Sequence, residues 1–143
     1  MKRTITFITV LFLFAGLFSG CEEDDGVSSS GLAGSYVLAY MKHLQENFTL
    51  YAGQDNNIEG MIITISGSLT LTESTYNMQM TTIATVYGQT ETDSETDQGT
   101  YTTSGNALTI TDSRGDVTNL TYTLNGDALI LNDGEMEIGF NRQ

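Results

Sequence analysis

The chain has 143 residues, with 18 Asp and Glu against five Lys and Arg and a formal net charge of −13. That length suits one ordinary domain, and so acidic a balance excludes nucleic acid as a partner, because phosphate backbones are held by the Lys and Arg that neutralise them. Attraction to anionic lipid headgroups is excluded on the same ground; acidity favours solubility and leaves the fold open.

In chain order, residues 1–20 read as a secretory signal. Lys2 and Arg3 make a positive start, residues 5–18 form an apolar run, and Ser19 and Gly20 supply small residues at a cleavage site. The run is 14 residues long, short of the roughly 20 needed to span a hydrocarbon core, so it is expected to be removed rather than to cross a membrane. Cys21 is the only cysteine and has no second thiol with which to form an intrachain disulfide. Phe18-Ser19-Gly20-Cys21 resembles a bacterial lipobox, in which the cysteine becomes the lipidated first residue of the mature protein. The resemblance implies acyl chains of the palmitate kind at Cys21, and more than one chain gives stable anchoring without a span. The membrane is thus an expected partner through the anchor alone.

Glu22, Glu23, Asp24 and Asp25 follow, and then a Gly/Ser stretch of the composition that makes flexible linkers. The acidic tract resembles the lipoprotein export tracts of the Bacteroidetes. It implies an outer-membrane lipoprotein displayed on the cell surface, with a periplasm-facing orientation as the alternative. The expected organisation is a signal over 1–20, a lipidated Cys with acidic tract and linker over 21–31, and one domain over 32–143. Past residue 20 the basic residues are Lys42, Arg114 and Arg142 alone, against all 18 acids.

The domain begins with a strand at residues 36–40, followed by a stretch at 41–47 that fits a helical turn or a strand continuation. A loop is expected over 53–60. Beyond it, Leu69 and Leu71 alternate with Thr70 and Thr72, and Leu108 and Ile110 with Thr109 and Thr111. Leu120, Tyr122 and Leu124 repeat the pattern, then Leu129 and Leu131, then Met136, Ile138 and Phe140. Alternation of this kind is what a half-buried strand requires, and Thr fits its solvated side. Turn residues at Gly105-Asn106, Arg114-Gly115, Asn125-Gly126 and Asp133-Gly134 fall at the spacing of a sandwich or barrel. The chain has no proline, so every ladder N–H is available. The residues therefore read as an antiparallel all-β domain of eight strands, or nine.

Three stretches together resemble the bacterial lipocalin-like domains carried by lipoproteins: "LAGSY" at the start, with Gly34 and Tyr36 standing like the Gly-x-Trp of a first lipocalin strand; "LTLTESTYNMQMT"; and "GTYTTSGNALTIT" with "TYTLNGDALIL". The resemblance implies an up-and-down β-barrel.

Catalytic equipment is sparse. His43 is the one histidine and is expected at the surface. No nucleophile elbow or metal-ligand pair is present. The acids are expected in loops, without the cations or aromatic walls that would mark one for a shifted pKa. Glu91, Asp93, Glu95 and Asp97 alternate, which places four carboxylates on one side of an extended chain. Such a set could collect Ca²⁺, but it lacks the Gly turn of a calcium loop; a solvated edge or loop between strands is the expectation, with no metal and no cofactor. The candidate ligand-binding residues are the inward-facing Tyr36, Tyr40, Met78, Met80, Tyr101, Tyr122 and Phe140, since Met and Tyr make adaptable apolar pockets with polar handles. An eight-stranded barrel is filled by side chains or holds one small ligand. The expected function is a non-catalytic binding module for a small apolar molecule. The alternative is a structural or interaction lipoprotein with a solid barrel.

Overall fold

A computed structural model describes residues 31–143; the signal segment, Cys21 and the acidic tract lie outside the described residues. Ten strands follow one another: β1 (Gly34–His43), β2 (Phe48–Tyr51), β3 (Asn56–Ile58), β4 (Met61–Leu71), β5 (Thr75–Val86), β6 (Gln89–Ser104), β7 (Ala107–Asp112), β8 (Val117–Asn125), β9 (Ala128–Asn132) and β10 (Met136–Arg142). From β4 to β10 each strand pairs with the next, and β1 pairs with both β10 and β4. The result is an antiparallel, up-and-down barrel of eight strands, with β2 and β3 added outside the closed ring.

The period-2 pattern supplies the core directly. Leu69, Leu71, Leu108, Leu120, Leu129, Leu131, Ile138 and Phe140 are all buried. Register stacks them in rows: Leu38 pairs with Phe140, Phe140 with Leu129, and Leu129 with Leu124. The adjacent row carries Met41, Ile138 and Leu131. Four hairpins close through two-residue turns, two of them with Gly105 at φ 59° and Gly126 at φ 61°. In each of these two the glycine takes the first central position, as a type II′ turn requires.

Closure depends on β1. Its residues 34–37 pair with Leu71 to Ser68 of β4, and its residues 40–43 pair with β2 along the same edge. Between the two lies a bulge, where the register against β10 shifts between Leu38 and Tyr40. One extra residue in a strand reverses which side chains face inward beyond it. Hence Tyr36 and Leu38 are buried before the bulge, and Met41, not Tyr40, is buried after it. Tyr40 therefore corrects the sequence reading: it lies outside the barrel, across from Gly139. A Cβ at Gly139 would stand 2.1 Å from the Tyr40 ring, so glycine is what lets the ring lie flat on the strand. Two further expectations are revised. Asn56–Ile58 is a short strand inside the presumed loop, held by Asn56, whose amide bonds Tyr51 O, Gln54 O and Ile63 O. Of the two forms expected for the acidic stretch, the solvated edge holds and the loop does not: it is the first half of β6, exposed and bonded on one side only.

At the start of the barrel the Tyr36 hydroxyl donates to Leu32 O at 2.7 Å and accepts from Arg142 Nη2 at 2.7 Å. The Arg142 guanidinium lies 5.2 Å from the centroid of the Tyr36 ring, joining the first and last strands through a hydrogen bond and a cation–π contact.

Removing Phe140, 1% exposed, as Phe140→Ala is expected to cost about 3–5 kcal/mol, read as a lower urea midpoint at unchanged slope. Gly139→Ala is expected to destabilise as well, and adding Tyr40→Ala should return part of that loss; a double variant whose loss equals the sum of the two would rule out the ring contact as the cause.

Candidate functional site

The barrel is packed unevenly. Tyr36, Phe140, Leu50, Ile65 and Leu129 are the largest side chains below 2% exposure, and none of them lines the open part of the interior. Beyond the Met41–Ile138–Leu131 row the interior opens into a cavity of about 680 Å³. This is within the range of roughly 300–1,000 Å³ usual for small-molecule sites. Its walls are apolar, with Leu69, Leu71, Met78, Met80, Leu120 and Ile138 among them.

The opening is a consequence of unequal strand length. β6 is 16 residues long and β7 six. β7 pairs only with Gly99 to Ser104, so the preceding half of β6 is bonded to β5 alone. The strands meet at Gly99, where a Cβ would stand 2.0 Å from the Thr111 carbonyl oxygen; a side chain there would prevent β7 from joining. The unpaired half carries the alternating acids, and register fixes which way they face. Glu91, Asp93, Glu95 and Asp97 pair with Ala84, Thr82, Met80 and Met78 of β5, the residues on its inner side. The inner face of β6 thus bears carboxylates, and its outer face Thr90, Thr92, Ser94 and Thr96.

Glu95 and Asp97 line the cavity rim together with Asp112, Asp116 and Asp133 from the β7–β8 and β9–β10 turns. Arg114 is the one cationic side chain on that rim. It is already engaged, 2.8 Å from Asp112 and 3.7 Å from Asp116. Burial alone would push the Asp112 carboxyl up, but hydrogen bonds from the Arg114 side chain and from the Asp116 and Arg114 N–H groups hold it below the usual carboxylate range. Asp97 accepts the Tyr76 hydroxyl at 2.8 Å, and Asp133 caps its turn by accepting from the N–H groups of Glu135 and Met136. Glu95 has no hydrogen-bond or ion-pair partner among the described residues. Its carboxyl is raised by partial burial and by the charges of Asp93 and Asp97, so one acid is marked for a raised pKa after all. Among the described residues no three His, Cys, Asp or Glu side chains converge as a metal site would need.

Of the seven candidate ligand residues, Met78, Met80 and Tyr101 line the cavity. Tyr36 and Phe140 lie in the packed half, Tyr122 packs against the core without reaching the cavity, and Tyr40 is outside. Tyr101 is tied down, its hydroxyl donating to Thr72 O at 2.6 Å. Sequence reasoning missed Met41, Tyr76 and the acidic rim. Placing the Glu/Asp alternation opposite Met78 and Met80 in one hairpin would have found the rim. His43 is half-buried and stacked on Phe48 at 5.6 Å, away from the cavity. Comparison of the chain with family models, curated proteins and solved structures returns no match.

Two phenols are held neutral. Burial first, and then its 2.8 Å hydrogen bond to Glu137, push Tyr40 up to about 12; burial and the bond to Asp97 raise Tyr76 further. A raised phenol pKa stabilises the fold below the ordinary value of about 10, and that contribution is lost as pH rises through the folded-state value. In a spectrophotometric titration of the seven tyrosines, two are therefore expected to ionise late. Tyr40→Phe and Tyr76→Phe should each delete one late-titrating phenol; ionisation of all seven in a single step near pH 10 would contradict the assignment.

Proposed function

We propose that the chain is a lipid-anchored, non-catalytic binding module of the lipocalin-like kind, exported to the outer membrane, displayed on the cell surface and holding a small apolar molecule inside its barrel. The observation that carries the reading is the cavity of about 680 Å³ with apolar walls, set in a barrel whose other half is solidly packed. A ligand entering it exchanges water for Met, Leu and Ile side chains, which yields about 25 cal/mol per Å² of apolar surface removed from water. The packed half keeps the walls from collapsing. Binding is favoured over catalysis by the walls of the cavity, largely Met, Leu and Ile side chains that carry no acid, base or nucleophile. Glu95 and Asp97 stand at a solvated rim, not as the buried carboxylate pair of a hydrolytic cleft.

The test is binding of the neutral fluorophore N-phenyl-1-naphthylamine to the full chain carrying Cys21→Ser, which removes the lipidation site. Saturable enhancement at one site is expected, and Leu120→Trp, which puts an indole into the cavity, should abolish it while the far-ultraviolet circular dichroism is retained. Binding that survives Leu120→Trp would place the ligand elsewhere and overturn the reading.

The anchor is tested separately. In a lipoprotein-processing host, radiolabelled palmitate is expected to enter the wild-type chain and not Cys21→Ala, and protease treatment of intact cells should remove the domain. Labelling of Cys21→Ala would remove Cys21 as the anchor, and survival of the domain would sink surface display.

A further inference from the structure

The cavity joins two chemistries that a purely apolar ligand would use only in part. Its walls are hydrocarbon, and its rim sets five carboxylates (Glu95, Asp97, Asp112, Asp116 and Asp133) against the single guanidinium of Arg114. Since Arg114 is paired to Asp112 and Asp116 and feels the Asp97 charge only beyond ion-pair distance, none of Glu95, Asp97 and Asp133 forms an ion pair among the described residues. We infer that the cavity selects a cationic amphiphile, an apolar body with an amine or quaternary ammonium head, seated with its body among Leu69, Leu71, Met78, Met80 and Leu120 and its head between the β6 rim and the β7–β8 turn.

This inference rests on the ligand-binding reading of the same cavity and adds the charge of the occupant. A neutral molecule leaves the rim repulsion in place, an anionic one increases it, and a cation relieves it. The Glu95 carboxyl is raised first by partial burial and then by the charges of Asp93 and Asp97, so repulsion from Asp97 across the rim is one part of that shift. The apolar wall lowers the local dielectric on one side of the rim, which strengthens attraction to a positive head beyond its value in bulk water. Bulk acidity of the chain would attract cations everywhere, but it would not place the head at the mouth of an apolar chamber.

Three ligands that share a ten-carbon chain separate the possibilities when each displaces N-phenyl-1-naphthylamine from the full chain carrying Cys21→Ser: decyltrimethylammonium, 1-decanol and decanoate. The ammonium is expected to bind about tenfold or more tighter than the alcohol, and the carboxylate weakest. Raising salt from about 0.01 M to about 1 M should narrow the spread, because that change shortens the screening length from about 30 Å to about 3 Å. The variant Glu95→Gln with Asp97→Asn should lower the ammonium-to-alcohol ratio at least severalfold. Glu46→Gln with Glu59→Gln, which removes the same formal charge away from the cavity, should leave that ratio in place. Equal affinity for the three ligands would overturn the inference and leave the apolar-ligand reading standing. An equal drop in both double variants would also overturn it, by assigning the preference to net charge. Failure of all three ligands, and of the fluorophore, would overturn the ligand-binding reading itself.

Discussion

Everything in this barrel depends on β1 being hydrogen-bonded on both edges at once. A sheet of eight strands that did not close would present two rows of unpaired N–H and C=O groups, a template for aggregation. Closure is achieved by only four residue pairs, residues 34–37 of β1 against Leu71 to Ser68 of β4, because β1 gives the rest of that edge to β2. So short a seam is reinforced where it begins. Arg142 from the last strand reaches the Tyr36 hydroxyl and stacks over its ring, while the same hydroxyl holds the Leu32 carbonyl. Tyr36 is 1% exposed, so these bonds form where water competes poorly and breaking them would leave polar groups buried and unpaired.

The division of the interior into a solid half and a hollow half follows from that seam. Where β1, β10 and β9 are in tight register, Leu38, Phe140, Leu129 and Leu124 lie in one row and fill the cross-section. On the far side of the bulge the ring must accommodate a strand, β6, that runs ten residues past the point where β7 joins it. No side chain from β7 faces that half of β6, so the wall there is the β4–β5–β6 sheet with β6 as its open edge. The cavity is the volume enclosed by this sheet, by β7 and β8, and by the Met41–Ile138–Leu131 row. A bulge and a mismatch in strand length, rather than a scarcity of large residues, create the space.

The parts of this structure written in the sequence are those set by local alternation. Leu69 and Leu71 against Thr70 and Thr72, or Leu129 and Leu131 before a glycine turn, identify both the strand and its buried face, because a two-residue period leaves one assignment consistent with a core. Tyr40 shows where local pattern stops. It stands two residues after Leu38 in an apparently unbroken alternation, and only the bulge, a product of β1 pairing with β10 across about a hundred residues of chain, turns it outward. The acidic half of β6 is legible only as an edge or a loop, for a different reason. Glu and Asp are depleted in strands because most strands have a face to bury, and here neither face is covered, so the hydrophobic signal on which strand recognition rests is missing. β-Structure in that stretch is imposed by its partner: β5 supplies the alternating Tyr76, Met78 and Met80, and β6 follows it residue for residue.

That imposed register also bears on why the carboxylates lie where they do. An exposed edge can be protected from pairing with another chain by charge on either face, so protection alone would be met by acids pointing to bulk solvent. Instead Thr and Ser occupy the outer face of β6 and the four acids its inner one, with Asp97 beside Met78 and Glu95 beside Met80. Charges set next to an apolar wall are poorly solvated and repel one another more strongly than charges in open water, and the Glu95 carboxyl, raised first by burial and then by Asp93 and Asp97, carries both costs. An arrangement chosen only for solubility would avoid the cost by exchanging the two faces. Its retention makes sense when the inner charges act on what enters the barrel, with edge protection obtained from the same residues. The single cation on the rim supports this distinction: Arg114 is bonded to Asp112 within its own turn, fixing the turn that forms the opposite lip, and forms no ion pair with the β6 carboxylates.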